Sequence, residues 1–496
     1  MADSTLDQLP HEMFTILKNS SKEGLGPRLG RLALQGRHAI DTPHYLAITS
    51  RGAVPHVSQD NFTRHTAING VYVALEDCKC RLIFATNRSQ CSRWQDIERA
   101  PPQTPPILDF QNNDAIPSLR RFIALPAETL LVLGLRRCPP VPCPSANTST
   151  AVQILTSVGF RTVDTDDYTD AALNLKPDIV VALGDVPFEQ PKVGIKRVDK
   201  ITDRTIAWVK EMFTTKADKE EEGAGKEKLP AVFAPILPLS IGLQRWYIEA
   251  LLGELKENMS GLALYDTTIL EDIPDQLRHL PRLAFPLSST DTGSPPKLLQ
   301  DIARGVDIFT IPFIGAATDA GIALDFSFPA PVMSGNAPLP LGIDMWSSAH
   351  ATDLSPLHTG CECYACAKHH RAYLQHLLSA KEMLGWVLLQ IHNHYVVDRF
   401  FAGVRQSIAR DMFETEREAF ERAYEPDLPE KTGQGPRVRG YHFKSEGPNE
   451  PKRNPAPFKP FRKLDDHSEK IAKASLPDLR VEAAELERCG FGNVTE

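Results

Sequence analysis

No apolar run in this 496-residue chain approaches the roughly 18 residues that a membrane-spanning helix needs, so no transmembrane segment is expected. The opening MADSTLDQLP lacks the basic and then apolar stretches of a secretory signal, and a cytoplasmic protein is the expectation. Positive charge is not in excess either: Lys plus Arg number 55 against 63 Asp plus Glu, a net charge of −8. A field of that sign repels a phosphate backbone, so any nucleic-acid contact has to be local or supplied by a partner. There is no GxGxxG and no Walker-type loop, which removes the usual signatures of dinucleotide and nucleoside-triphosphate folds. Cysteine is sparse. Its nine residues are an odd count, scattered except for one tight cluster, which reads as metal ligands or free thiols rather than a disulfide framework.

What is present is close to the globular average, with 42% apolar and 24% charged residues, so wholesale disorder is excluded; 40 prolines and 30 glycines point to long loops. Short apolar runs rich in β-branched residues recur with helical stretches between them: His44–Thr49, Val71–Leu75, Leu130–Leu135, Ile179–Leu183, Ala231–Leu237, Gly261–Leu264, Arg282–Phe285 and Val306–Phe309. The clearest βα unit is SPPKLLQDIARGVDIF. Pro295 and Pro296 suit a helix start, Leu298, Leu299 and Ile302 share one face, and Gly305 suits the left-handed residue that closes the helix. Eight such strands favour a (β/α)8 TIM barrel over an open doubly wound sheet. The expected division is a barrel over 1–350, a zinc-binding subdomain with closing helices over 351–424, and a tail over 425–496, mostly disordered, with a short C-terminal helix. The charged run Lys216–Lys228 (KADKEEEGAGKEK) is expected to be a solvated insertion, and the basic stretch Pro451–Lys463 a solvated part of the tail.

Cys361, Cys363 and Cys366 form C-x-C-x-x-C, and a tetrahedral site needs a fourth ligand. His369, His370, His376, His392 and His394 follow. Arg371–Leu378 reads as one helix, and Ser379 with Glu382 reads as a capping box that starts a second, running past His392. About ten residues out and a dozen back return the chain to the cysteines, which selects His392. Three thiolates and a histidine with no open position imply a structural Zn2+. A second site at Cys78, Cys80 and Cys91 lacks a fourth ligand, and free thiols are expected there.

The stretch HTGCECYACAKHHRAYLQHLLSAKEMLGWVLLQIHNHY resembles the zinc-binding region of the tRNA-guanine transglycosylase (queuine tRNA-ribosyltransferase) family. Pro27–Ser58, Lys176–Asp185 and Pro281–Phe309 are similar to barrel strands of the same family, with a poor match across Cys78–Pro142. The resemblance implies a (β/α)8 barrel with a zinc subdomain inserted late. It also implies exchange of guanine for queuine at wobble position 34 of tRNAs with GUN anticodons (Asp, Asn, His, Tyr), through an aspartate that attacks the ribose C1′ and a second carboxylate that handles protons.

Position by position, the family's chemistry is absent. Thr310 stands in GVDIFTIPF where the family carries its nucleophilic aspartate, and the motif that supplies the other carboxylate has no recognisable counterpart, Asp109-Phe110-Gln111 being only a fragmentary likeness. Gly184, with Asp185 next, replaces the aspartate that reads the purine edge. Leu237, Pro238 and Leu239 replace Q-G-G, Tyr265 and Asp266 follow Ala263-Leu264 where the base would lie, and PFIGAATDAG lacks the arginines that hold the tRNA backbone. This pattern resembles the non-catalytic accessory branch of the family, which implies a catalytic homologue as heterodimer partner and tRNA bound through the complex. It further implies a cytoplasmic location that extends to the cytoplasmic face of the mitochondrial outer membrane. The competing readings are a self-sufficient enzyme with Asp307 or Asp319 as displaced nucleophile, and a zinc-supported hydrolase or RNA-binding module of another kind.

Overall fold

The computed structural model describes residues 13–19, 25–77, 117–156, 159–188, 193–222, 229–332 and 337–436. Each of the eight apolar runs is a strand: β1 (His44–Ile48), β2 (Gly70–Ala74), β3 (Leu130–Gly134), β4 (Ile179–Val181), β5 (Ala231–Ile236), β6 (Gly261–Leu264), β7 (Arg282–Ala284) and β8 (Ile308–Thr310). All pair in parallel with their sequence neighbours, and Ile308 opposite His44 joins β8 to β1, so the sheet closes into a barrel. Closure explains why these runs are apolar throughout, since one face meets the barrel interior and the other the surrounding helices. Leu46, Tyr72, Val132, Val181, Phe233, Ala263, Leu283 and Ile308 fill the interior as a packed core.

An antiparallel sheet of Phe14–Asn19, Arg28–Leu32 and Ile40–Thr42 precedes β1 and adds Phe14, Leu32 and Ile40 to that core. Arg28 and Asp307 are fully buried at the N-terminal end of the barrel. Arg28 Nε donates to Asp307 Oδ1 at 2.8 Å, and the Arg282 backbone N–H donates to Asp307 Oδ2 at 2.8 Å. Asp307, offered by its sequence position as a displaced nucleophile, is therefore a structural clasp at the opposite end of the barrel from Thr310.

The Pro295–Ala303 helix and Gly305, with φ of 96°, are as the sequence reads. The charged run is different. Lys216–Glu222 continues the helix Ile195–Glu222, with Lys216 Nζ 3.7 Å from Glu220 one turn on, so alternating charge supports helix there rather than loop. Residues 425–436 are also ordered: Glu425 N–H bonds to Leu339 O at 2.9 Å, and the Thr432 hydroxyl donates to Asp344 Oδ2 at 2.5 Å. The rest of the tail, the 223–228 end of the charged run, Cys78, Cys80, Cys91 and Asp109-Phe110-Gln111 lie outside the described residues.

Candidate metal centre

After β8 the helix Pro312–Ala320 leads through Gly321, at a left-handed φ of 78°, into a short strand, Ile322–Leu324, paired antiparallel with Gly342–Asp344. The chain then reaches the cysteines and three helices, Tyr364–Lys368, Arg371–Ser379 and Met383–Ala409. The capping box is not formed. Ser379 ends one helix and accepts a hydrogen bond from Gln375, while Glu382 precedes the next without a side-chain cap. The turn between them is made by Lys381 at φ 57°, which brings the second helix back along the first.

That return places His392 as the spacing requires. Its Nδ1 lies 3.7 Å from Cys361 Sγ, 3.5 Å from Cys363 Sγ and 3.5 Å from Cys366 Sγ, and all four ligand atoms lie within 4.8 Å of one another. A tetrahedral ion with bonds of about 2.3 Å to sulfur and about 2.0 Å to nitrogen would set its S···N edges at about 3.5 Å. The donor set fits a closed site that could bind a metal ion. His392 Nε2–H donates to the Leu324 carbonyl at 2.9 Å, which fixes the tautomer that turns Nδ1 toward the thiols. Burial alone would lower the His392 pKa, but hydrogen bonds with Cys361 and Cys366 outweigh it and raise it to about 10. Contact with the Cys361 and Cys363 thiols holds Cys366 well below the thiol range. Of the other histidines, His394 is turned to Tyr45 of β1, its Nδ1 2.9 Å from the phenol oxygen, and His369 stacks on Tyr373.

Sequence reasoning missed the support around His392. Asn393 Oδ1 accepts from Leu324 N–H at 2.8 Å, and its Nδ2 donates to Thr318 Oγ1 at 2.9 Å and Ile322 O at 3.1 Å, so it ties the helix that carries His392 to the strand that also receives His392. The available signal was three polar residues in a row within an otherwise apolar helix. Met345, Leu374, Leu378, Trp386 and Leu389 complete the lobe's own core beside Cys363. At the start of this helix Met383 and Leu384 are exposed, whereas Trp386, Leu388 and Ile391 are buried within this chain.

At the C-terminal mouth of the barrel Thr310 is buried, and its hydroxyl donates to the Ala284 carbonyl at 3.0 Å. Asp185 is held by Arg204 and Asn147 at 2.8 and 2.7 Å. Gln244 clasps the loop after β5, donating to the carbonyls of Leu237 and Leu239 at 2.9 and 2.6 Å. Tyr265 stacks on Phe285, ring centres 5.5 Å apart, and meets the edge of Phe188 at 5.9 Å. These residues leave a cavity of about 30 Å3 among Tyr72, Gly184 and Tyr265, room for a water or two. Asp319 is on the helix after β8, paired with His56 at 2.7 Å.

A parallel eight-stranded barrel with a Cys3His cluster on the helices after its last strand defines a restricted class: TIM barrels whose candidate metal site lies in an added lobe rather than in the mouth. A sequence model of the queuine tRNA-ribosyltransferase family matches residues 106–426. The chain is 34% identical over 423 residues to a Schizosaccharomyces pombe protein named queuine tRNA-ribosyltransferase accessory subunit 2, covering 84% of this chain and 86% of that one. Proteins of the same name from Gallus gallus and Drosophila mojavensis are 26% and 27% identical, covering 78% and 80% of this chain and 92% and 89% of theirs. The chain belongs to the queuine tRNA-ribosyltransferase family.

Proposed function

We propose that this chain is a non-catalytic accessory subunit of a heterodimeric queuine tRNA-ribosyltransferase. In that role it supports the partner's exchange of guanine for queuine at position 34 of tRNAs with GUN anticodons. The observation that carries the reading is the state of the mouth. Thr310 offers a neutral hydroxyl already bonded to Ala284 where an attacking carboxylate would stand, and Tyr265 with its neighbours leaves about 30 Å3 where a purine would lie. A neutral hydroxyl cannot stabilise an oxocarbenium-like centre, and it is a poor leaving group from C1′ in the second half of a double displacement. Asp307 is no substitute, since it is buried at the far end of the barrel against Arg28. The names of the relatives support the accessory role.

Cys361, Cys363, Cys366 and His392 would hold one structural Zn2+, and residues 351–424 would act as a metal-stabilised lobe on a barrel spanning 1–350. The zinc supplies no open coordination position for substrate, so its contribution is to folding. A cytoplasmic location belongs to the same reading; among the described residues no helix is long and apolar enough to cross a membrane. The test is co-expression with a catalytic homologue, followed by sizing and a guanine-exchange assay on tRNA. Exchange by the mixture and the partner-containing species alone is expected; exchange by this chain purified free of its homologue would overturn the proposal.

A further inference from the structure

The net charge of −8 is unevenly spread along the chain. Residues 437–463 (RVRGYHFKSEGPNEPKRNPAPFKPFRK) carry eight Lys and Arg against two Glu, so this stretch is +6 and the remainder −14. Val438 is its only branched aliphatic residue, yet four aromatics, Tyr441, Phe443, Phe458 and Phe461, are set among the cations. Rings without aliphatic neighbours make no core pattern, either of helix or of strand. The match to the family ends at residue 426, so the shared barrel and lobe do not account for this stretch.

The structure shows where the stretch departs from the body. After the last helix the chain is fastened down at several points, by Glu425 on Leu339, by Leu428 on the barrel's outer core and by Thr432 on Asp344. Gly433 lies flat on Trp346, where a Cβ would come within 2.1 Å of the indole ring, and Trp346 is itself fixed by its Nε1–H on the Ala320 carbonyl at 3.0 Å. Gly435 then reaches Asp319, where a Cβ would stand 3.2 Å from the carbonyl oxygen. Asp319 lines a cavity of about 390 Å3 in the barrel mouth. The fastened strap of 425–435 therefore ends on the rim of the mouth, two residues before the basic stretch begins. At that rim Arg137 is paired with Asp77 at 3.0 Å and Asp319 with His56 at 2.7 Å, and the helix Pro312–Ala320 has no Lys or Arg. Positive charge for a phosphate backbone on this face comes from 437–463.

We propose that residues 437–463 are an RNA-binding arm held at the barrel mouth, its cations on the phosphates of a tRNA and its aromatic rings on unpaired bases. A dense basic run attracts a polyanion even from an acidic chain, because screening confines the field that matters to about 8 Å. Rings among the cations favour RNA over other polyanions, since every base offers a face to stack on. That the RNA is a tRNA rests on the accessory reading; the attraction for phosphates and bases does not. The experiment is fluorescence anisotropy of the full-length chain, without its partner, on a labelled tRNA transcript with a GUN anticodon at 50 and 200 mM salt. Affinity should fall about a thousandfold over that range, as for roughly six neutralised phosphates. The combined variant Lys444→Gln, Lys452→Gln, Arg453→Gln, Lys459→Gln, Arg462→Gln and Lys463→Gln should bind about a hundredfold or more weakly at 50 mM, with a flatter salt dependence. Phe458→Ala with Phe461→Ala should cost about tenfold and leave the salt dependence as it is. All these positions lie beyond the fastened strap, and far-UV circular dichroism establishes that each variant is folded. No binding by the wild-type chain at 50 mM overturns the proposal, as does undiminished binding in either variant. Equal affinity for poly-glutamate, which offers charge without bases, overturns it in favour of an acidic protein partner. With the partner absent from this assay, its failure is distinct from failure of the accessory role, which is read from guanine exchange by the mixture.

Discussion

His392, Asn393 and His394 follow one another on a helix and so point about 100° apart, yet all three are buried because the helix is enclosed on every side there. His392 faces the cysteines, Asn393 the Ile322–Leu324 strand, and His394 the barrel at Tyr45. The consequences of removing each differ. His392→Ala leaves three thiols with no fourth ligand and the Leu324 carbonyl with no donor, so metal content should fall to background and the melting temperature should drop. Full zinc retention by elemental analysis would contradict the site. Because the thiols must be deprotonated to bind, the wild-type protein should release its zinc as pH falls, with stability lost alongside. Asn393→Ala keeps the metal ligands but strands one buried N–H and one buried carbonyl, an expected loss of about 3 kcal/mol in denaturant unfolding. Zinc binding at neutral pH should survive that change, which separates its role from that of its neighbour.

At the scale of elements, the helix Met383–Ala409 joins the lobe around the Cys3His cluster to the barrel, and its middle and end are as buried as its start. Gly403 shows how closely it packs, for a Cβ there would come within 1.9 Å of the Phe328 carbonyl oxygen. In an exposed helix Gly→Ala gains up to about 1 kcal/mol. Here Gly403→Ala should instead destabilise by about 2 kcal/mol or more, since a backbone atom must move, and urea midpoints of the two proteins measure the sign. This helix also marks the limit of what the sequence discloses. All eight barrel strands were legible because burial on both faces makes each an uninterrupted apolar run, and the gathering of His392 with the three cysteines was legible because cysteine spacing and helical rise fix where a fourth residue can fall. The exposure of the helix was not, because an apolar circumference is equally the mark of a helix awaiting a partner and of one already surrounded. Nor was the start of the helix: Ser379 and Glu382 carry the spacing of a capping box, but the turn at Lys381 leaves Ser379 in the preceding helix. The Phe14–Asn19 strand and the hairpin of Ala151–Thr156 with Gly159–Asp164 escaped because they are edge elements with mixed polarity. Asn393 escaped because it makes no motif; its meaning lies in partners more than 65 residues away.

For the whole molecule, a closed eight-stranded barrel is combined with a mouth in which Thr310 and Tyr265 take the places of a carboxylate and a base. A chain with a net charge of −8 has no general attraction for tRNA, and its mouth presents neither a carboxylate at Thr310 nor room beside Tyr265. Restoring the carboxylate should therefore restore nothing. Thr310→Asp would place a negative charge in a buried position where the hydroxyl now serves the Ala284 carbonyl, and burial would favour its protonated form. Even ionised, it would act on a base that is not held, and lost positioning alone costs about 100-fold or more. Leu237 is tied down by Gln244, and Tyr265 is stacked on Phe285, so no purine edge finds a hydrogen-bond partner at those positions. Incorporation of radiolabelled guanine into tRNA should stay at background for the wild type and for Thr310→Asp, and should appear for both when the catalytic homologue is added. Background activity in every mixture containing Thr310→Asp, with the variant still folded and zinc-loaded, would place this mouth in the reaction. Activity of the variant alone would show that one side chain separates the accessory subunit from an enzyme.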